Sequence, residues 1–223
     1  MTIGMISDAH GNIYGLKKCL RLLEKFNVDE IFFLGDAIDY FSKSKEVLDF
    51  LRSNEVKCLK GNHEIILLEN KQIPLEAKEL CNLDFTRGTL GTDDYTYINS
   101  WKDYIELNYG DSKILMVHAS PFNYFEEYMY PDSDFSKFLD LKYDMIFMGH
   151  THIPFLKNIG DKIIANVGSA GFSRDDGRFI SCMVLDVSQK KARILRDKFP
   201  LEFVDNLGPF HKGMFEILER RIK

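Results

Sequence analysis

SDAHGN, residues 7–12, follows the apolar opening MTIGMI. Within six residues the chain passes from a buried-looking run to an Asp, a His and a Gly-Asn pair. Asp, Asn and Gly are ordinary turn formers, so the stretch alone reads as a polar turn after a strand. Further apolar runs recur along the chain: IFFLG (31–35), VKCLK (56–60), KILMV (113–117), DMIFMG (144–149) and KIIANVG (162–168). With TIGMI (2–6) they read as buried strands. Between the first two, GLKKCLRLLEKF (15–26) sets Leu16, Cys19, Leu20 and Leu23 at helical spacing, and EVLDFLRSN (46–54) repeats the pattern before the third. This β-α-β-α-β opening predicts an α/β layered domain.

Residues 64–110 read as helices covering one rim of the sheet. RFISCMVLDV and KARILRDKF, around the turn-like SQK, predict an antiparallel hairpin, and HKGMFEILERRIK a basic amphipathic helix with cations near its negative end. Without repeats, low-complexity tracts or linkers, a single domain over 1–223 is expected, its C-terminal hairpin and helix at about 176–223.

A chain of 223 residues can bury a substantial core. Its hydrophobic and charged fractions, 45% and 28%, are those of an ordinary globular protein. There is no apolar run of bilayer-spanning length, so no membrane partner is expected. The N-terminus lacks the basic and small-residue signals of a secretory leader. Cys19, Cys58, Cys81 and Cys182 are scattered, which reads as reduced core thiols in a cytoplasmic protein. A formal charge of −5 argues against a nucleic-acid partner. It also repels any anionic substrate unless something local reverses the field.

The histidines are not scattered. Asp8 and His10 follow the first predicted strand, Asp36 the second, and Asn62 and His63 the third. His118 ends KILMV, while His150 and His152 follow DMIFMG; only His211 lies elsewhere. The crevice outside the carboxyl ends of strands is where α/β sheets bind ligands. Imidazole, carboxylate and amide donors without thiolate suit Mn²⁺, Fe, Ni or Zn²⁺. Seven candidates exceed one tetrahedral shell but suit two ions held about 3.5–4 Å apart, as in phosphoryl-transfer sites. Two divalent ions against Asp8 and Asp36 leave a net charge of about +2, which answers the sign problem.

Taken together, SDAHGN, LGDAID, KGNHE, VHAS and GHTH resemble, in this order, the five blocks of the calcineurin-like metallophosphoesterases. ANVGSAGFSRD is similar to the family's Asn-Pro-Gly-Ser stretch. The resemblance implies a four-layer α/β/β/α sandwich of two mixed sheets flanked by helices. It implies two divalent ions, Mn²⁺ first among them, on Asp8, His10, Asp36 and His152 and on Asp36, Asn62, His118 and His150. It also implies a hydroxide held between them that attacks phosphorus, with His63 assisting the leaving oxygen and Asp39 orienting His63. Protein phosphatases and dinucleoside tetraphosphatases of the superfamily carry an Arg directly after the GDxxD carboxylate; here that residue is Tyr40. Its absence points to a phosphodiester, a monoanion needing less positive charge than a monoester, with Arg174 a candidate substitute. In PFNYFEEYMYPD (121–132), the aromatics Phe122, Tyr124, Phe125 and Tyr128, with Tyr124 and Phe125 first, are candidate contacts for a nucleotide-like group of a small phosphoester. The alternatives are a phosphomonoesterase, including a protein phosphatase, and a non-catalytic scaffold of the same fold, whose hallmark is an eroded ligand set not seen here. The oligomeric state stays open.

Overall fold

β1 (Thr2–Ile6), β2 (Glu30–Phe33) and β3 (Lys57–Cys58) run parallel, because α1 (Ile13–Glu24) and α2 (Ser44–Ser53) return the chain between them. The computed structural model of the chain describes residues 1–199 and 201–220. The hairpin β9 (Phe179–Asp186) and β10 (Lys191–Lys198) adds antiparallel to the free edge of β1, giving the order β10-β9-β1-β2-β3. A second sheet has the order β4-β5-β6-β8-β7. In it β5 (Ser112–Val117), β6 (Met145–Met148) and β8 (Lys162–Asn166) are parallel, with β4 (Tyr104–Tyr109) and β7 (Phe155–Ile159) antiparallel at the edges. Two mixed five-stranded sheets flanked by helices are therefore the frame.

The period-2 alternation of strands assigns each residue its layer. Ile3, Met5 and Phe32 of the first sheet meet Ile114, Met116 and Phe147 of the second to form the core between the sheets. Ile6 and Phe33 point the other way, onto Leu16, Cys19 and Leu23 of α1 and Val47 and Leu51 of α2. Leu115, Val117, Ile146 and Met148 leave the far side of the second sheet to pack under Met129, Phe135 and Phe138. The last of these lies in a 3₁₀ turn, Ser136–Asp140.

Two segments depart from the sequence reading. The rim is helical from α3 (Asn62–Leu68) through α4 (Leu75–Leu80) and α5 (Leu83–Thr89) to α6 (Thr92–Asn99), but YIELNY is a strand. It pairs with β5 through a two-residue turn, Gly110-Asp111, with Gly110 at φ +57°. Gly at a left-handed position between two strands is the hairpin signal that outweighs the mixed composition. The same device, Gly160-Asp161, joins β7 to β8. At the C-terminus α7 (Gly213–Glu219) is docked rather than solvated on all sides, with Met214 and Leu218 buried in the helix-side core. The helix is shorter than expected and carries no cation in its last turn: His211, Lys212 and Arg220 lie outside it, and Arg221, Ile222 and Lys223 lie outside the described residues. No helix among the described residues is long and apolar enough to cross a membrane.

Candidate metal centre

The site begins where β1 and β2 end. Their loops continue side by side through main-chain hydrogen bonds: Asp8 N–H donates to Gly35 O (2.9 Å), His10 N–H to Asp36 O (3.0 Å) and Gly11 N–H to Ala37 O (2.8 Å). This zipper brings the Asp8, His10 and Asp36 side chains together. The turns are tight enough that seven site residues take left-handed φ: Asp8, His10, Asp36, Asp39, Tyr40, His150 and His152, from +48° to +72°. Non-glycine residues rarely adopt this region, and such strain gathers at functional sites where surrounding contacts over-determine the backbone.

Two glycines of the motifs are required by close approach. A Cβ at Gly61 would collide with Asp36 Oδ1, and one at Gly149 with Asp8 Oδ2 and Ser7 Oγ. The bare backbone lets the following segments donate to the carboxylates: His63 N–H to Asp36 Oδ1 (3.0 Å) and His150 N–H to Asp8 Oδ2 (3.0 Å). Glu64, fully buried, accepts from the N–H groups of Asp36 (2.8 Å), Ala37 (2.8 Å) and Gly61 (2.7 Å). It thereby clamps the Asp36 turn onto the start of α3. Burial and the nearby Asp36 charge push the Glu64 carboxyl up to about 7. Ser169 Oγ–H donates to Asp8 O (2.7 Å), tying the GSAG stretch to the same turn.

The donors fall into two groups sharing Asp36. Asp8, His10, Asp36 and His152 form one, and Asp36, His118 and His150 the other, with donor atoms inside each group within 4.8 Å of one another. Asn62 Oδ1, 3.0 Å from His118 Nε2, extends the second. All seven residues suggested by the motifs are thus brought together. The tautomers are set from behind: His10 Nδ1–H donates to Ile38 O (3.0 Å), His118 Nδ1–H to Leu34 O (2.8 Å) and His152 Nδ1–H to Phe172 O (3.1 Å). Carbonyls in this position are the usual orienting partners of metal-ligating histidines.

That arrangement tests whether a cation fits. His10 Nε2 and His152 Nε2 face each other at 3.0 Å. Burial lowers the pKa of both rings, so two nitrogen lone pairs are directed into one space with Asp8 Oδ1 (3.2 Å from His152 Nε2) and Asp36 Oδ2 (3.5 Å from His10 Nε2). Converging acceptors repel unless a cation lies among them. His150, pushed down to about 3 by burial and the neighbouring His118, keeps a buried Nε2 with no partner. The donor set fits divalent metal ions.

Beside the donors stands His63, its Nδ1–H donating to Asp39 Oδ2 at 2.7 Å. Burial alone would disfavour the imidazolium, but the Asp36 charge and the Asp39 hydrogen bond outweigh it and raise His63 to about 9. Its ring is 4.8 Å from that of His10 and 5.3 Å from that of Tyr40. Tyr40 fills the position after the GDxxD carboxylate, its ring against His10 and Phe172 and its hydroxyl 3.5 Å from Arg174 Nη2. Arg174 does not tether the neighbouring turn: Asp175 is paired with Arg196 (2.7 Å), and Asp176 with Arg178. Among the described residues Arg174 has no ion pair within 4 Å, yet its charge is felt at His152 and Asp8.

The two loop aromatics part company. Tyr124 packs on Tyr104 (5.1 Å) and the outer core of the second sheet, whereas Phe125 lines a pocket shared with Asn62 and His150. Tyr128, whose ring lies 4.1 Å from that of His150, was one aromatic among several in the sequence and is the nearer neighbour of the site. Glu64 is the residue that the motifs alone did not single out. Its signal was the acidic residue three positions after Gly61 in KGNHE, which accepts from the N–H at the start of the helix as the Glu of a capping box does.

Two mixed sheets flanked by helices, with buried Asp/His clusters at the strand ends, are the frame of a metal-dependent phosphoesterase, and the family match below supports that class. Residues 1–190 match the model of the calcineurin-like phosphoesterase superfamily domain, and the chain belongs to that superfamily. It is 26% identical over 220 residues to an uncharacterized protein of Methanocaldococcus jannaschii, covering 90% of this chain and 88% of that one. A probable metallophosphoesterase of the same archaeon is 27% identical over 175 residues, 76% of this chain and 68% of the other. The fold is also that of a metallophosphoesterase from Sphaerobacter thermophilus, with TM-score 0.77, 21% identity and 98% of each chain covered.

Proposed function

We propose that the protein hydrolyses a small, nucleotide-like phosphodiester with two divalent ions, Mn²⁺ first among the candidates. Asp8, His10, Asp36 and His152 would hold one ion and Asp36, Asn62, His118 and His150 the other. When bound, such ions supply Lewis-acid neutralisation of phosphoryl oxygens and a nucleophile at neutral pH. His63 Nε2–H gives its proton to the oxygen leaving phosphorus, and the entering water returns one to the pool, so the two protons balance. Asp39 holds the His63 ring by Nδ1 and favours its charged form. Arg174, positioned by the Tyr40 hydroxyl, grips a non-bridging phosphoryl oxygen.

The observation that carries the diester reading is the pairing of Tyr40 with a single guanidinium, Arg174, at the rim, where a second cation would suit a dianion. Four free, buried cysteines are in keeping with a reducing, cytoplasmic setting. The test loads the protein with Mn²⁺, Ni²⁺ and Zn²⁺ in turn and compares a bis-aryl phosphodiester with the aryl monoester. The diester is expected to turn over faster, and equal or better monoester turnover overturns the preference.

A further inference from the structure

Next to the metal donors lies a pocket of about 310 Å³ that the chemistry above leaves unused. Asn62 and His150 belong to both, so a group bound at the donors borders the pocket directly. Ile65 from α3 and Ile73 from the loop after it form one apolar wall, and Phe125 and Tyr128 from the opposite loop form the other. Ile65, Ile73 and Phe125 are half-buried and Tyr128 is 47% exposed, so apolar surface lies uncovered within reach of the catalytic groups. The cation at this pocket, Lys71, is paired with Glu69 Oε2 at 3.2 Å, and Glu126 lines the same pocket. The charged lining of the pocket thus carries both signs, and the Arg174 guanidinium adjoins it through the Tyr128 hydroxyl.

We infer that this pocket receives the esterifying group of the substrate and selects an uncharged, flat, apolar one, an aryl ring or nucleobase. The inference rests on the phosphoester reading above. A ring between branched aliphatic and aromatic walls removes its own surface and theirs from water. Ring edges and faces add favourable offset contacts with Phe125 and Tyr128. A polyphosphate or a sugar phosphate meets Lys71, Gln72 and Asn62 here but gains nothing from the apolar walls, which make up the other half of the lining.

Phosphonates isolate the pocket, since their carbon–phosphorus bond is not an ester and carries one organic group. Isothermal titration of the Mn²⁺-loaded protein compares phenylphosphonate, methylphosphonate and inorganic phosphate. Phenylphosphonate is expected to bind at least about tenfold tighter than methylphosphonate, about 1.4 kcal/mol. Ile73→Ser is expected to cut that ratio below about threefold, with Phe125→Ala as a second variant should the first misfold. Equal binding of the two phosphonates with phosphate still bound, or a tenfold ratio surviving both substitutions, overturns the pocket assignment and leaves the phosphoester reading standing. Failure of all three anions to bind the loaded protein removes both.

Discussion

The donor cluster and the pocket beside it are built by opposite means. Asp8, His10, Asp36, His118 and His152 are each at most 1% exposed and sit on turns locked by main-chain hydrogen bonds. Phe125 and Tyr128 lie on a loop, partly open to solvent, held by ring contacts and local turns such as Asn123 Oδ1 accepting from Phe125 N–H. A site that must hold charged and lone-pair donors against each other needs an over-determined backbone. A site that only shelters an apolar group can be assembled from loop side chains. Damage to the first is therefore expected to be severe and to include metal loss, while damage to the second is graded and confined to substrate affinity.

The hardest break in that contrast is Asp36→Asn. Asp36 belongs to both donor groups and takes the His63 N–H on its other oxygen. An amide there keeps the shape but loses the charge that balances two cations. Activity is expected to fall more than about 10³-fold, beyond the 10–100-fold typical of outer partners of metal ligands, with metal content by elemental analysis dropping in parallel. Full metal with full turnover would remove Asp36 from its bridging place.

His63→Ala separates chemistry from loading. His63 hydrogen-bonds Asp39 and lies in neither donor group, so metal content should hold while kcat drops about 10²–10³-fold, the scale of a lost general acid. Parallel metal loss would make His63 a ligand instead.

The same contrast explains what was legible in the sequence. Metal chemistry demands particular residue types, and the strand-end turns place them in blocks of four to six residues, so Asp8, His10, Asp36, Asn62, His118, His150 and His152 could be named from spacing and family likeness. The left-handed turns that aim them leave only a weak composition signal: Asp and His are enriched at φ near +60° among non-glycine residues, but most Asp and His in any chain are not found there. Gly61 and Gly149 were visible as letters, but their reason, the collision with Asp36 and Asp8, exists only once distant strands meet. Strand β4 was hidden for a related cause: YIELNY has an exposed face and borrows its identity from pairing with β5. In the 121–132 loop the aromatics are equivalent as text, and only packing sends Tyr124 to Tyr104 and Tyr128 to His150.

Glu64→Gln sharpens the comparison at an intermediate level. Three N–H donors converge on the Glu64 carboxylate, and an amide would turn an NH₂ toward one of them. The Asp36 turn should loosen without losing a ligand. Metal affinity, read by competition with a chelator, is expected to weaken about 10-fold. An unchanged affinity would show that the zipper between the β1 and β2 loops suffices to hold Asp36.

The smallest effect belongs to Tyr124→Ala. Tyr124 sits in the same loop as Phe125, and its main-chain carbonyl accepts from Ala119 N–H at 2.9 Å, but its ring turns away to Tyr104. Losing that aromatic pair costs about 1 kcal/mol, which in a chain of this size lowers Tm by about 2–4 °C. KM for an aryl diester should move less than about twofold, because the pocket wall keeps Phe125 and Tyr128. A fivefold rise in KM without a drop in Tm would place Tyr124 on the substrate and extend the apolar slot across the loop toward β4.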